Sequence, residues 1–218
     1  MTRSVLRAEA LRIDGPSGAL EGVLEHPQVS PQPGFAVICH PHPLYGGTMQ
    51  NKVVHTIARA CQEIGVPTVR FNFRGVGASA GHYDEGHGET QDALAVIAWG
   101  RTHWPATPLI LAGFSFGAMI ALRAAASAAP SRLITVAPAV KHLGATTASP
   151  ACPWLIVQGD VDELVDVRDV TAFAAQFDPP PQLEVLSGVE HFFHGRLSEL
   201  RERVIAFLTD LRCDLLTN

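Results

Sequence analysis

The 218-residue sequence is poor in charge, with 17% of its residues charged against roughly 25% in an average soluble domain. Hydrophobic residues make up 47% of the chain. This excludes a disordered protein, because disordered chains are rich in charge and poor in apolar residues. The net charge is −5 and no run of Lys or Arg occurs, so we expect neither nucleic acid nor an anionic membrane surface as a partner.

The cysteines give no sign of a disulfide framework or a metal site. They are widely spaced, with no C-x-x-C pair, and lie at Cys39, Cys61, Cys152 and Cys213. Charged residues interrupt the N-terminal stretch, so no export signal is visible and we expect free buried thiols in a cytoplasmic protein. The most apolar segment, 109–130, contains Arg123 and is interpreted as soluble core rather than a membrane span.

Short apolar segments alternate with helical patterns along the whole chain. Strands are predicted at 8–13, 19–25, 35–39, 66–73, 108–113, 132–137, 154–159 and 182–188. Helices are predicted at 51–64, 89–100, 116–129, 167–177 and 198–211. The first two strands flank a turn and predict an antiparallel hairpin, whereas helix-length connections between the others predict parallel pairing. We therefore expect one α/β domain, 1–218, with an eight-stranded, mostly parallel sheet and helices on both faces.

The sequence Gly113-Phe114-Ser115-Phe116-Gly117 lies between a predicted buried strand and a predicted helix. This is a G-x-S-x-G motif in the strand–turn–helix context that a nucleophilic serine requires. Glycines suit such a turn because strand and helix backbones come close together there. The turn exposes the Ser115 hydroxyl and puts the Phe116 N–H at a helix N-terminus, where developing negative charge is stabilised.

A serine hydroxyl is a weak nucleophile that needs a base, and the base needs an orienting carboxylate. Two later strands end next to such groups. The strand at 154–159 is followed by Asp160 and Asp162, and the strand at 182–188 is followed by His191 and His194. The order Ser, Asp, His is the chain order expected for this chemistry. By position alone, either aspartate and either histidine could complete the site.

The loop after the strand at 35–39 is the expected source of a second oxyanion donor. Pro41 and Pro43 lack an N–H, so the donor is the backbone of His42 or Leu44. The pair His40 and His42 has a spacing that metal ligands can take, but we assign it to this loop and expect no metal. A glycine-rich stretch at 75–81 is not G-x-G-x-x-G, so we expect no dinucleotide and no other cofactor.

The chain resembles the α/β-hydrolase superfamily over nearly its whole length. The resemblance is carried by FNFRGVGAS at 71–79, GFSFG at 113–117, QGDVDELV at 158–165 and SGVEHFFHG at 187–195, and the segment at 40–54 is similar to that of small bacterial hydrolases. It implies Ser115 as nucleophile, Asp162 as orienting acid and His191 as base. The superfamily usually has H-G-x in the loop after the third strand, which favours His42 over Leu44, although proline replaces that glycine here.

The resemblance also implies a function. The stretch at 138–152, where many α/β-hydrolases carry a helical lid, is too short for one, so we expect a lidless site. The expected activity is hydrolysis of carboxylic esters or thioesters of small acyl groups through an acyl-enzyme. Alternatives are an amidase, a C–C hydrolase or a perhydrolase with the same residues, or a non-catalytic scaffold that acts as a binding protein.

Overall fold

A computed structural model describes residues 8–142 and 149–210. Its strands are β1 Ala8–Gly15, β2 Gly18–Glu25, β3 Phe35–Cys39, β4 Thr68–Phe71, β5 Leu109–Phe114, β6 Arg132–Val136, β7 Trp154–Gly159 and β8 Gln182–Leu186. Its helices are α1 Lys52–Glu63, α2 His87–His103, α3 Phe116–Ala128, α4 Val167–Ala174 and α5 Leu197–Asp210. Cys213 and residues 143–148 of the stretch considered for a lid lie outside the described residues.

The eight strands form one sheet in the order β1-β2-β4-β3-β5-β6-β7-β8. The pairs β1–β2 and β2–β4 are antiparallel, and the strands from β4 through β8 pair in parallel. The chain moves from β3 outward to β4 and then returns to the other side of β3 as β5. This reversal between β3 and β5 is a topological switch point, where α/β sheets open a crevice at the carboxyl ends of the strands.

Helices cover both faces of the sheet because its central strands are apolar throughout. In β3, Phe35, Val37 and Cys39 pack on the face covered by α2, α3 and α4, while Ala36 and Ile38 face α1 and α5. Side chains of a strand alternate between its two faces, so a strand buried on both must be apolar at every position. The predicted fold class, including the N-terminal hairpin, is confirmed.

The boundaries of helices differ from the predicted ones where a side chain caps the end of the helix. Helix α2 begins at His87 rather than at the predicted position 89, because the Glu89 carboxylate accepts the N–H of Gly86 at 2.8 Å and caps the first turn.

The cysteines were predicted to be free and buried. Cys39 and Cys61 are both, whereas Cys152 is free but only partly buried. In the described part of the chain, no helix is both long and apolar enough to cross a membrane.

Candidate active site

Ser115 lies in a sharp turn between β5 and α3. Its backbone has φ 55° and ψ −115°, a conformation that residues other than glycine rarely adopt. Two close approaches require the flanking glycines: a Cβ on Gly113 would lie 2.1 Å from the carbonyl oxygen of Gly117, and one on Gly117 would lie 2.3 Å from that of Cys39. The packing of strand against helix thus holds the strained serine at the switch point.

His191 follows β8 and is almost fully buried. Its Nε2 lies 3.1 Å from Ser115 Oγ, and its Nδ1 lies 2.8 Å from Asp162 Oδ2. The ring of Phe114 packs against the imidazole with a centroid distance of 5.0 Å, and the His191 N–H donates to Glu163 Oε2 at 3.2 Å. Because a carboxylate can only accept, Nδ1 carries the proton and Nε2 is the acceptor that faces the serine.

Asp162 is held by a set of donors at the end of β7. Its Oδ1 accepts the N–H groups of Leu164 at 2.9 Å and Val165 at 2.7 Å, and its Oδ2 accepts from Gln158 Nε2 at 3.0 Å besides His191. Burial alone raises the pKa of Asp162, but the hydrogen bonds from His191, Val165 and Leu164 outweigh it and hold that pKa below its ordinary value. The group therefore stays ionised beside the imidazole at neutral pH.

The rival residues lie elsewhere. Asp160 Oδ1 accepts the N–H of Gly188 at 2.6 Å and so ties the loop after β7 to the loop after β8. His194 is largely exposed and pairs with the Glu190 carboxylate. Of the two aspartates and two histidines, the structure brings Asp162 and His191 to Ser115, and Asp160 and His194 take structural positions beside them.

The loop after β3 is anchored by His40, which is fully buried. Its Nδ1–H donates to the Pro41 carbonyl at 2.6 Å, and its Nε2 accepts the N–H of Phe73 at 3.0 Å. Both ring nitrogens are thus engaged, and burial lowers the pKa of His40 to about 4. Among the described residues, no group of three or more His, Cys, Asp or Glu side chains is placed to hold a metal ion.

His42 lies at the mouth of the site. Its Nδ1 accepts the N–H of Leu44 at 3.2 Å, so its Nε2 carries the proton and faces the Tyr83 hydroxyl at 3.2 Å. The imidazole also packs against the Phe116 ring at a centroid distance of 4.8 Å. The side chain of His42 therefore connects the loop after β3 to the residue that follows the serine.

A cleft of about 870 Å³ opens above Ser115. It is lined by Pro41, His42, Tyr45, Gly46, Gly47, Asn51, Tyr83, Glu85, Ser115, Phe116, Met119, Ala139, Leu164, Val165, His191 and Phe192. The sequence analysis singled out Phe116 and the residues around His42, but it missed Tyr83, Glu85 and Gln158. Gln158 carries a signal that could have found it, since it is a polar residue inside the apolar run WLIVQG directly before the acidic loop.

The chain is similar to known proteins in sequence and in fold. A family model described as serine aminopeptidase, S33, matches residues 36–151. A serine hydrolase without lid from Xanthomonas campestris is 42% identical, with 95% of this chain and 97% of that one covered and a TM-score of 0.90. A serine hydrolase homologue from Coxiella burnetii is 49% identical, with 93% and 98% covered and a TM-score of 0.88.

A curated relative extends the match. An uncharacterized protein of Rickettsia prowazekii is 32% identical over 210 residues, which span 91% of this chain and 88% of the relative. The chain therefore belongs to the family of lidless α/β serine hydrolases.

Proposed function

We propose that this hydrolase cleaves carboxylic esters or thioesters of small acyl groups through an acyl-enzyme formed on Ser115. The observation that carries the proposal is the continuous set of hydrogen bonds from Asp162 Oδ2 to His191 Nδ1, at 2.8 Å, and from His191 Nε2 to Ser115 Oγ, at 3.1 Å. These distances lie within the range at which a base can take the proton of a nucleophile.

In the acylation step, Ser115 Oγ attacks the substrate carbonyl while its proton moves to His191 Nε2. The imidazole becomes an imidazolium, which the ionised and buried Asp162 stabilises and keeps in orientation. The imidazolium then gives its proton to the leaving alcohol or thiol as the tetrahedral intermediate collapses. Water attacks the acyl-enzyme in the second half, with His191 again acting as base and Ser115 as the leaving group.

The oxyanion of the intermediate needs two donors, and we assign them to the backbone N–H groups of Phe116 and His42. Phe116 is the first residue of α3, so its N–H has no acceptor within the helix and lies at the positive end of the helix dipole. Leu44, the rival of His42, already donates its N–H to His42 Nδ1 at 3.2 Å. The prolines on either side of His42 supply no donor, which supports His42.

The preference for small acyl groups follows from the open site. The described part of the segment after β6 contains only a short 3-10 helix, Val140–His142. The similar protein from Xanthomonas campestris is a serine hydrolase without a lid. A long alkyl chain gains most from a lid that removes it from water, because its binding energy scales with buried apolar area. An open cleft with aromatic walls suits short or compact acyl groups instead.

The first experiment compares wild type with Ser115→Ala on p-nitrophenyl acetate, butyrate and decanoate, on a butyryl thioester and on a matched anilide. We expect turnover of the short esters and a loss of at least about 10³-fold in kcat for the variant, together with loss of labelling by a fluorophosphonate. The exposed Ser30→Ala is the control and retains both. Unchanged labelling of Ser115→Ala would refute the assignment of Ser115 as the nucleophile.

Two other results would replace the proposal. Faster hydrolysis of the anilide than of the ester would identify an amidase. Failure of wild type to react with any organophosphorus probe or ester would favour a non-catalytic binding scaffold.

A further inference from the structure

Aromatic side chains form much of the wall of the cleft. The rings of Tyr83 and Phe116 lie 6.0 Å apart between centroids, and Tyr45 and Tyr83 flank His42 at 4.7 Å and 5.0 Å. Phe192 closes the opposite side, with its ring 5.1 Å from that of His191. Faces of tyrosine and phenylalanine rings attract cations as well as apolar groups.

The charge of the cleft is of one sign. Apart from its histidines, Glu85 is the one side chain with a formal charge among the described residues that line it. Near the rim, Lys141 and Arg168 are each paired with a carboxylate, at 2.9 Å and 2.6 Å. Beneath the cleft, Asp162 adds a buried carboxylate beside His191. Apart from histidine, the formal charge that the lining of the cleft presents to a ligand above Ser115 is therefore negative.

The loop that carries Glu85 is built onto α2 rather than left free. The Glu89 carboxylate, fully buried, accepts the N–H groups of Asp84 at 2.9 Å and Gly86 at 2.8 Å, one on each side of Glu85. Burial raises the pKa of Tyr83, the negative charges of Glu89 and Glu85 raise it further, and the positive charge of Arg123 lowers it by a smaller amount. Glu85 thus acts electrostatically on the aromatic wall next to it.

We propose that the cleft selects substrates by charge, with Glu85 as the residue that sets the preference. It favours esters that carry a quaternary or protonated ammonium group, which lies against Glu85 and the rings of Tyr45 and Tyr83. It disfavours esters and thioesters with an anionic group, including thioesters of phosphorylated carriers. This inference rests on the proposed ester hydrolysis and narrows its substrate class.

The test uses pairs of esters that differ only in charge. Butyrylcholine is compared with 3,3-dimethylbutyl butyrate, which places the cation in the alcohol. The p-nitrophenyl esters of 4-(trimethylammonio)butanoate and 5,5-dimethylhexanoate place it in the acyl group. We expect kcat/KM to favour the cationic member of at least one pair by about ten-fold, since an exposed ion pair and a cation–π contact each contribute a few-fold.

The substitution Glu85→Gln should reduce that ratio to about two- or three-fold, and added salt should reduce it in wild type but little in the variant. Asp84→Asn is the matched control. It removes the same charge one residue away, from a carboxylate 3.9 Å from Arg74 that does not line the cleft. The ratio should stay within two-fold of wild type in this control.

A ratio near one in both pairs, or a ratio that Glu85→Gln leaves unchanged, would overturn the inference while ester hydrolysis itself stands. If no ester is turned over, the proposed function fails and a binding measurement decides the inference. Ligand-observed NMR on Ser115→Ala should then show tighter binding of butyrylcholine than of its neutral analogue, and equal binding of the two would reject it.

Discussion

Two regions meet at Ser115, and they are built in opposite ways. The acid–histidine region, formed by the loops after β7 and β8, buries both its functional side chains, with Asp162 at 0% and His191 at 2% exposure. The loop after β3 exposes its tip, with Leu44 at 67% and Tyr45 at 85%. The first region keeps water away from its hydrogen bonds, whereas the second presents an aromatic ring to the solvent.

The difference agrees with the roles that we propose for the two regions, proton transfer in one and substrate recognition in the other. Proton transfer needs groups fixed within a few tenths of an ångström in a medium of low polarity, where charge–charge and hydrogen-bond interactions are strong. Substrate recognition needs surface that water can leave and ligand can enter. The exposed loop still needs a fixed anchor, and the buried His40 provides it through hydrogen bonds to Pro41 and Phe73.

The largest effect should separate the two neighbouring aspartates of the buried region. Asp162→Asn places a neutral amide beside His191 and favours the wrong imidazole tautomer, so kcat on p-nitrophenyl butyrate should fall by about 10⁴-fold. Asp160→Asn keeps an oxygen that can accept the Gly188 N–H and removes only the charge, so it should cost less than about five-fold. Equal losses in the two variants would contradict the assignment of the acid.

An intermediate effect concerns His40, the buried residue that anchors the loop after β3. His40 has a pKa of about 4 in the folded protein, below the ordinary value of 6.5. The unfolded chain therefore takes up its proton first, so the stability that the neutral ring contributes is present above pH 6.5 and is lost as the pH falls to about 4. The difference corresponds to about 3 kcal/mol in the free energy of unfolding.

Urea denaturation between pH 4 and 7 measures this effect. His40→Gln keeps a donor and an acceptor but cannot titrate, so its free energy of unfolding should depend less steeply on pH than that of wild type. The exposed His82→Gln serves as the control and should retain the wild-type slope. Parallel curves for wild type and His40→Gln would show that the ring is not the titrating group.

The smallest effect should come from Tyr83→Phe, in the loop between β4 and α2 that lies against His42. The variant keeps the ring and removes the hydroxyl that lies 3.2 Å from His42 Nε2. Losing one partly exposed hydrogen bond that positions a backbone donor should lower kcat about three-fold, as measured with p-nitrophenyl butyrate. A loss as large as that of Asp162→Asn would mean that Tyr83 acts on the reacting atoms directly.

The fold was readable from the sequence because its main determinants are local. Two short apolar runs bounded by turn residues, at 35–39 and directly before Gly113, are typical of strands buried on both faces, and both are such strands in the structure. The glycines around Ser115 identified the turn. The structure shows why they are needed, since a Cβ on Gly113 or Gly117 would collide with neighbouring backbone. Boundaries were less certain, because a single capping side chain such as Glu89 moves the start of a helix.

The sequence by itself determined the parallel sheet, the position of the serine turn and the two loops that had to face it, since periodicity and strand order are properties of the chain. The resemblance favoured Asp162 and His191 over Asp160 and His194, but only the tertiary structure decided that these two meet Ser115 and that Leu44 bonds to His42. It also brought Gln158, Tyr83 and Glu85 to the site. Residues two or three positions apart in a loop can point in opposite directions, and the hydrogen bonds of the packed loops, not their spacing, fix which one reaches the reacting atoms.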